Sequence, residues 1–310
     1  MLTYDLINKN KRESWILIFS FLIVISLLGW AFSIRFGDVN ILYFAVGFSI
    51  FSSFISYYFS DSITLAISQA KEVNRQDNQE LYRLVENLCI TAGLPTPKIY
   101  IIEDTAPNAF ATGRDPQHAV VCFTTGILAK LEKPELEGVV AHELSHIGNY
   151  DIRVMTLVVV LVGVITLLSD WFMRASFFGR RKSSDREGGQ IGTILAIVSL
   201  VLVILSPIIA TLIKLAVSRK REYLADASGA LLTRYPEGLA RALEKISADT
   251  EPLEAANKAT AHMYIVSPFH DDSDPSLMLG ATGKKGWFSN MFNTHPPIEE
   301  RVKKLREMNL

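Results

Sequence analysis

The chain has 310 residues, 49% of them hydrophobic, with a mean hydropathy of +0.23, which is more apolar than filling one soluble core requires. A formal net charge of -1 and the lack of any long run of like charges exclude the broad basic field of a nucleic-acid binder, so no nucleic-acid partner is expected. Two cysteines, Cys89 and Cys122, without CxxC spacing exclude a disulfide framework; they read as buried thiols in a reducing compartment.

The apolar excess sits in four blocks. Trp15 to Ile34 is the first, an uncharged run whose helical length of about 30 Å matches the hydrocarbon layer. Lys9, Lys11 and Arg12 precede it and, by the positive-inside rule, predict a cytoplasmic N-terminus; no small-residue cleavage site follows, so a retained anchor is expected. A second uncharged run, Ile41 to Phe59, comes after the short connection Arg35 to Asn40. The two form a helical hairpin, which places everything from Ser60 onward in the cytoplasm. Two buried core helices would need a polar face at helical period, and a few serines and tyrosines are all these runs offer.

A soluble stretch follows. Gln76 to Ala92 has Leu81, Leu84, Val85, Leu88 and Cys89 at helical spacing, with Gly93 placed to stop the helix. "PKIYIIED" at 97–104 and "HAVVCF" at 118–123 predict two strands of a small sheet on either side of the turn-like "PNAFATGRDPQ". "KPELEGVVAHELSHIGN" then predicts a helix with Pro134 in its first turn, where a missing N–H does no harm. On that helix His142 and His146 are one turn apart on one face, so both imidazoles can reach a single Zn2+. Glu143 points away from that face, too far round to be a ligand, yet within reach of a water beside the metal. Val139, Val140, Ala141, Leu144 and Ile147 would bury this helix, and buried histidines need partners.

The third block, Val154 to Met173, is short for a span, with Arg153 before it and Asp170 inside it. The fourth, Ile191 to Ile213, is long and uncharged, and Pro207 would kink it without preventing a crossing. Between them lie Arg174, Arg180, Arg181, Lys182 and Arg186 against Asp185 and Glu187, a loop at odds with the positive-inside rule. Either this pair crosses the membrane with Asp170 and Trp171 at the interface, or it is a hairpin embedded in the near leaflet or packed on protein. Hydrophobic length favours crossing.

A catalytic zinc usually takes three protein ligands. In "SRKREYLADASGA", 218–230, Glu222 and Asp226 are again four apart on a predicted helix. Glu222 is the candidate third ligand, and Asp226 is placed to accept the second imidazole N–H of a ligand histidine and fix its tautomer. By itself the stretch also reads as an ordinary charged helix in which Arg219 or Arg221 pairs locally. Topology favours the ligand reading: nearly all the chain between His146 and Glu222 is the second hydrophobic pair, so the two helices leave it as neighbours, whether it crosses twice or not at all.

"HELSHIGNYDIRVM", "SRKREYLADASGA", "PNAFATG" and "FNTHPPIEERV", in this order, together resemble the HtpX-type membrane zinc metalloproteases, which are related to the CAAX prenyl endopeptidases. The resemblance covers nearly the whole chain except 248–290, where no family motif is recognised. It implies a gluzincin-like endopeptidase of the bacterial inner membrane, with its active site in the cytoplasm. Its substrates would be damaged or misfolded membrane proteins, in quality control under stress, and the family is prone to self-cleavage. It also suggests that His295, in "THPP", comes close to the tetrahedral oxyanion; His295 reads equally well as a helix-start histidine ahead of two prolines. Asn108 in "PNAF" is placed to hold a substrate backbone beside the strand at 118–123, or is a plain turn residue. His118, His262 and His270 read as structural or surface residues.

The expected fold is mainly α with a small β-sheet (α+β), a gluzincin-like protease domain joined to four hydrophobic helices expected to cross the membrane. The domains are a transmembrane hairpin at 1–60, a first protease segment with the histidine helix at 61–153, a second hydrophobic hairpin at 154–217 and a second protease segment with the third ligand at 218–310. One Zn2+ per chain is expected on His142, His146 and Glu222, with Asp226 behind them and Glu143 as general base. The partners are the lipid bilayer and protein or peptide substrates. The other readings are a non-catalytic zinc-binding membrane protein and a small transporter; the latter lacks an ionisable residue near the middle of any span.

Overall fold

A computed structural model describes residues 3–178, 218–256, 260–268 and 296–308. Two long helices, α1 (Thr3–Phe36) and α2 (Asn40–Ile67), pack antiparallel as a hairpin. Their outer faces expose bulky apolar side chains, Phe19, Ile23, Trp30 and Ile34 on α1 and Phe44, Phe51 and Phe54 on α2. The inner face of α2 buries Ser49, Ser52, Ser56, Ser60 and Thr64. Greasy side chains outside and small polar ones inside invert the pattern of a water-soluble helix; small inward residues let membrane helices approach closely. Ile7–Ile34 and Asn40–Ile67 are each long and apolar enough to cross a membrane. Helix α1 begins well before the uncharged run, so its first turns carry Lys9, Asn10, Lys11, Arg12 and Glu13 on the same rigid rod.

The polypeptide then forms β1 (Lys71–Glu72) and α3 (Gln79–Ala92). The Asn78 side chain accepts the Leu81 N–H at 3.1 Å to cap α3, and Gly93 ends it in the left-handed conformation, φ +67°. Next come β2 (Lys98–Ile102), β3 (Ala109–Gly113), a 3-10 turn (Pro116–His118) and β4 (Ala119–Thr124). After the short α4 (Thr125–Lys130), α5 (Lys133–Gly148) and α6 (Asp151–Phe178) follow. Beyond the undescribed stretch lie α7 (Arg219–Thr233), α8 (Pro236–Ala248), a 3-10 turn (Ala261–Met263) and α9 (Ile298–Arg306).

The sheet has four strands in the order β1-β2-β4-β3, with β2 and β4 parallel and the other pairs antiparallel. The sequence predicted two of these strands and read the segment of β3 as a turn. Small residues, Asn108, Gly113 and the "GRDP" that follows supply strong turn signals, and only burial on every side shows that Ala109–Gly113 is an edge strand. Side chains alternate across the sheet. Ile99, Ala109, Ala111, Val121 and Phe123 face a core made with α3, α5, α8 and α9, while Ile102, Phe110 and Cys122 face α6 and Tyr264. Cys89 and Cys122 are both buried free thiols.

The third hydrophobic block is one helix, α6, which begins three residues earlier than predicted, at Asp151. Its described side chains as far as Ile165 are largely buried, and α6 packs against both α1 and α2. The fourth block, Ile191 to Ile213, lies outside the described residues, as do His270 and His295. Among the described residues the architecture is therefore mostly helical with a small mixed sheet and two candidate spans.

Candidate metal centre

Helix α5 is central to the part of the chain that follows the hairpin, with α3, β3, α7 and α8 packed around it. Its start is fixed by Glu135, whose carboxylate accepts the Glu132 N–H at 2.8 Å and also meets Lys245 Nζ at 2.7 Å. Helix α7 turns Glu222, Asp226 and Gly229, spaced by four and then three, towards α5. Gly229 lets the two backbones close up: a Cβ there would lie 2.9 Å from the backbone nitrogen of His142. The contact at Gly229 is with the backbone at the first histidine, and Glu222 lies two turns earlier on α7.

His142, His146 and Glu222 are each at least 96% buried, and one ligand atom from each lies within 4.8 Å of the others. The two histidine Nε2 atoms are 3.2 Å apart; Glu222 Oε2 is 3.8 Å from His142 Nε2 and Glu222 Oε1 is 3.6 Å from His146 Nε2. Tetrahedral zinc with bonds of about 2.0 to 2.2 Å needs neighbouring ligand atoms about 3.3 to 3.6 Å apart. The His146–Glu222 separation matches that spacing, the histidine pair is slightly closer and His142–Glu222 slightly wider, and two neutral imidazoles with one carboxylate are a donor set zinc accepts.

Each imidazole is held from behind. His142 Nδ1 lies 3.0 Å from Asp226 Oδ1, and His146 Nδ1 lies 3.0 Å from Asp151 Oδ2. Asp151 hydrogen-bonds His146 at Nδ1, which leaves Nε2 of that ring for the centre, and Asp226 lies at ion-pair distance behind Nδ1 of His142, whose Nε2 also faces the centre. Each carboxylate is in turn bound by an arginine. Arg301, wholly buried, donates from Nε at 2.8 Å and from Nη2 at 2.7 Å to the two oxygens of Asp226, and from Nη1 at 2.9 Å to the Ile265 carbonyl. Its Nη1 is also 3.6 Å from Glu222 Oε2. Arg221 Nε is 3.2 Å from Asp151 Oδ1, and Arg221 pairs with Glu13 of α1.

Asp151 reaches His146 because the chain turns sharply between α5 and α6. The axes differ by 82°, and Tyr150 takes up the turn at φ +62°, an uncommon conformation for a residue with a side chain.

Charge in the centre is uneven. At His146 burial favours the neutral ring, but the Asp151 hydrogen bond and the charges of Glu222, Asp151 and Glu143 outweigh it and raise the imidazole to about 9. At His142 burial prevails over Asp226 and lowers it. A divalent ion held there would compete with a proton for His146. Burial pushes the Glu143 carboxyl up to about 7, against the downward pull of His146, Arg301 and the Ala111 N–H from β3. Glu143 is 2% exposed and is not one of the three converging groups.

The remaining sequence-predicted residues fall as follows. Asn108 is buried, donates from Nδ2 to the Val266 carbonyl at 3.0 Å and accepts the Ala109 N–H at 3.1 Å. The strand it was expected to serve, β4, is paired on both edges, to β2 and to β3, so a peptide cannot add there; the outer edge of the sheet on this side belongs to β3. His118 is on the surface with Nδ1 2.6 Å from Asp115, and His262 is buried with Nε2 3.3 Å from the Met155 carbonyl. Sequence reasoning missed Asp151, Arg221, Arg301 and Asn10. Asp151 alone carried a local signal, as an acid just past a Gly-Asn turn five residues after His146.

Residues 75–309 match the family model described as peptidase family M48. A protein named protease HtpX homolog from Dictyoglomus thermophilum is 47% identical over 98% of this chain and 94% of its own length. One of the same name from Tropheryma whipplei (strain Twist) is 42% identical over 98% of each. Among solved structures, the crystal structure of S. mikatae Ste24p aligns with a TM-score of 0.49 and 18% identity over 97% of this chain and 67% of that one.

Proposed function

The chain belongs to peptidase family M48 and is a membrane metalloprotease, and from that premise we propose that it is a zinc-dependent endopeptidase of the bacterial inner membrane. Its active site faces the cytoplasm, and its substrates are damaged or misfolded membrane proteins. The observation that carries this reading is the buried triangle of His142, His146 and Glu222, drawn from two helices and backed by a carboxylate on each histidine. Zinc held there supplies Lewis-acid chemistry, polarising a peptide carbonyl and making water acidic enough to lose a proton near neutral pH.

The residues divide the work. Asp226 and Asp151 hold both rings with Nε2 inward. Glu143, one residue after His142 and aligned by the Ala111 N–H, takes the proton from attacking water on its carboxylate and returns it to the leaving amine nitrogen. An extended peptide approaches along β3, and Asn108 acts indirectly by fixing β3 to Val266. His295 is proposed as a donor to the oxyanion that forms at the cleaved carbonyl. The protease halves are 61–153, which follows a hairpin at 1–60, and 218–310, separated from the first half by a second hydrophobic pair at 154–217, for four crossings in all.

Full-length protein purified in detergent with a chelator should cleave an unfolded protein substrate only after zinc is returned. Stoichiometric zinc uptake without cleavage would favour a non-catalytic zinc-binding protein instead. The orientation has its own expected result: a cysteine placed near Arg181 reacts with an impermeant reagent from outside intact cells, whereas protection there would leave the second pair embedded on the near side.

A further inference from the structure

The first turns of α1, the charged base of the first candidate span, reach the metal centre. Asn10 is 3% exposed, and its Nδ2 donates to Asp151 Oδ1 at 2.6 Å and to the Asn149 carbonyl at 2.8 Å. One turn on, Glu13 pairs with Arg221, whose Nε meets the same Asp151 oxygen. Lys11 Nζ lies 4.5 Å from the centre of the Tyr150 ring, the left-handed residue of the elbow, and Arg153 lies over the same ring at 5.1 Å. Three neighbouring α1 side chains thus hold the turn that presents Asp151 to His146.

We propose that Asn10, supported by Glu13, is a positioning residue of the metal centre, and that the membrane-anchoring helix in this way sets how tightly zinc is held. Asp151 has two oxygens and two tasks. Oδ2 holds His146 Nδ1, and Oδ1 is satisfied by the Asn10 amide and Arg221. With Asn10 gone, the carboxylate can rotate and the Asn149 carbonyl loses its donor, so the elbow and His146 lose their register together. Outer hydrogen bonds of this kind typically change metal affinity about 10- to 100-fold. The stretch that matches peptidase family M48 begins at residue 75, so this support comes from outside it.

The proposal rests on zinc binding to His142, His146 and Glu222. Its test uses the full chain in detergent as wild type, Asn10→Ala, Asn10→Asp and, as a control on an exposed neighbour, Arg12→Ala. Zinc affinity is measured by competition with a chromogenic chelator, melting is followed on the zinc-free protein, and kcat and KM are measured on an unfolded substrate. Asn10→Ala should weaken zinc about tenfold and lower kcat with KM unchanged, by more than any fall in zinc-free melting accounts for, and Arg12→Ala should match wild type. Asn10→Asp has the shape of the native residue but sets a carboxylate against Asp151, so it should bind zinc no better than Asn10→Ala. A role in packing alone would leave Asn10→Asp like wild type, and that result overturns the proposal. So does wild-type affinity in Asn10→Ala, or a loss of affinity that only follows a loss of melting temperature. Failure of the wild type itself to bind zinc is a different outcome, which removes the zinc peptidase reading and this inference with it.

Discussion

Glu143→Gln should retain one zinc per chain and lose about 10²- to 10⁴-fold in kcat/KM, the range a positioned general base contributes. The side chain is buried beside the centre without belonging to the converging triad, so an amide of the same shape leaves the ligand set intact. An amide oxygen can stand in for the carboxylate oxygen towards the Ala111 N–H, which lowers the Glu143 carboxyl. What disappears is the capacity to accept a proton at that atom and to hand it on. Measuring zinc content and cleavage on the same preparation separates the two roles, since a lost ligand would lower both. Wild-type turnover in Glu143→Gln would sink the general-base assignment and leave Glu143 as a buried acid without a chemical role.

Much of the centre was legible because it is written at helical spacing. His142 and His146 share one face of a helix with apolar flanks, and Glu222 and Asp226 share one face of another; both patterns depend only on local geometry. The hairpin of α1 and α2 was legible for a similar reason, as uncharged length. The residues behind the ligands were not. Asn10 lies 139 positions from Asn149, and Asp226 lies 75 from Arg301, so their meeting is decided by tertiary packing. Arg301 sits in "IEERVKKLR", which reads as a charged, solvated helix, and only the burial of Val302 and Leu305 beside it shows which face α9 turns inward. Strand β3 was lost to the opposite bias: small residues and turn signals outweigh strand propensity until its neighbours are known.

Arg301→Ala should cost about 3 to 5 kcal/mol of stability and weaken zinc as well, because it leaves a buried carboxylate without its counter-charge. Arg301 is fully buried, and Asp226 is 4% exposed. Burial raises the Asp226 carboxyl, but the Arg301 charge and its hydrogen bonds, together with His142, overcome burial and hold it below the ordinary carboxylate value. A carboxyl lowered on folding contributes stability that is present above its unfolded pKa of about 3.9 and is lost as pH falls through the folded value. Without Arg301 only His142 still opposes burial, so most of the lowering is removed and the loss should be plain at neutral pH, where the wild type has the full benefit. The neutralised or displaced Asp226 would also stop holding His142, and Glu222 would lose the cation 3.6 Å away. A double variant that makes both partners apolar, Asp226→Leu with Arg301→Met, should recover some of the stability but none of the zinc affinity, since it removes the stranded charge without restoring the imidazole's partner. Denaturant unfolding of the detergent-solubilised protein and chelator competition give the two quantities separately. A cost below about 1 kcal/mol for Arg301→Ala, the level of an exposed pair, would mean that Asp226 is not held by this arginine in solution.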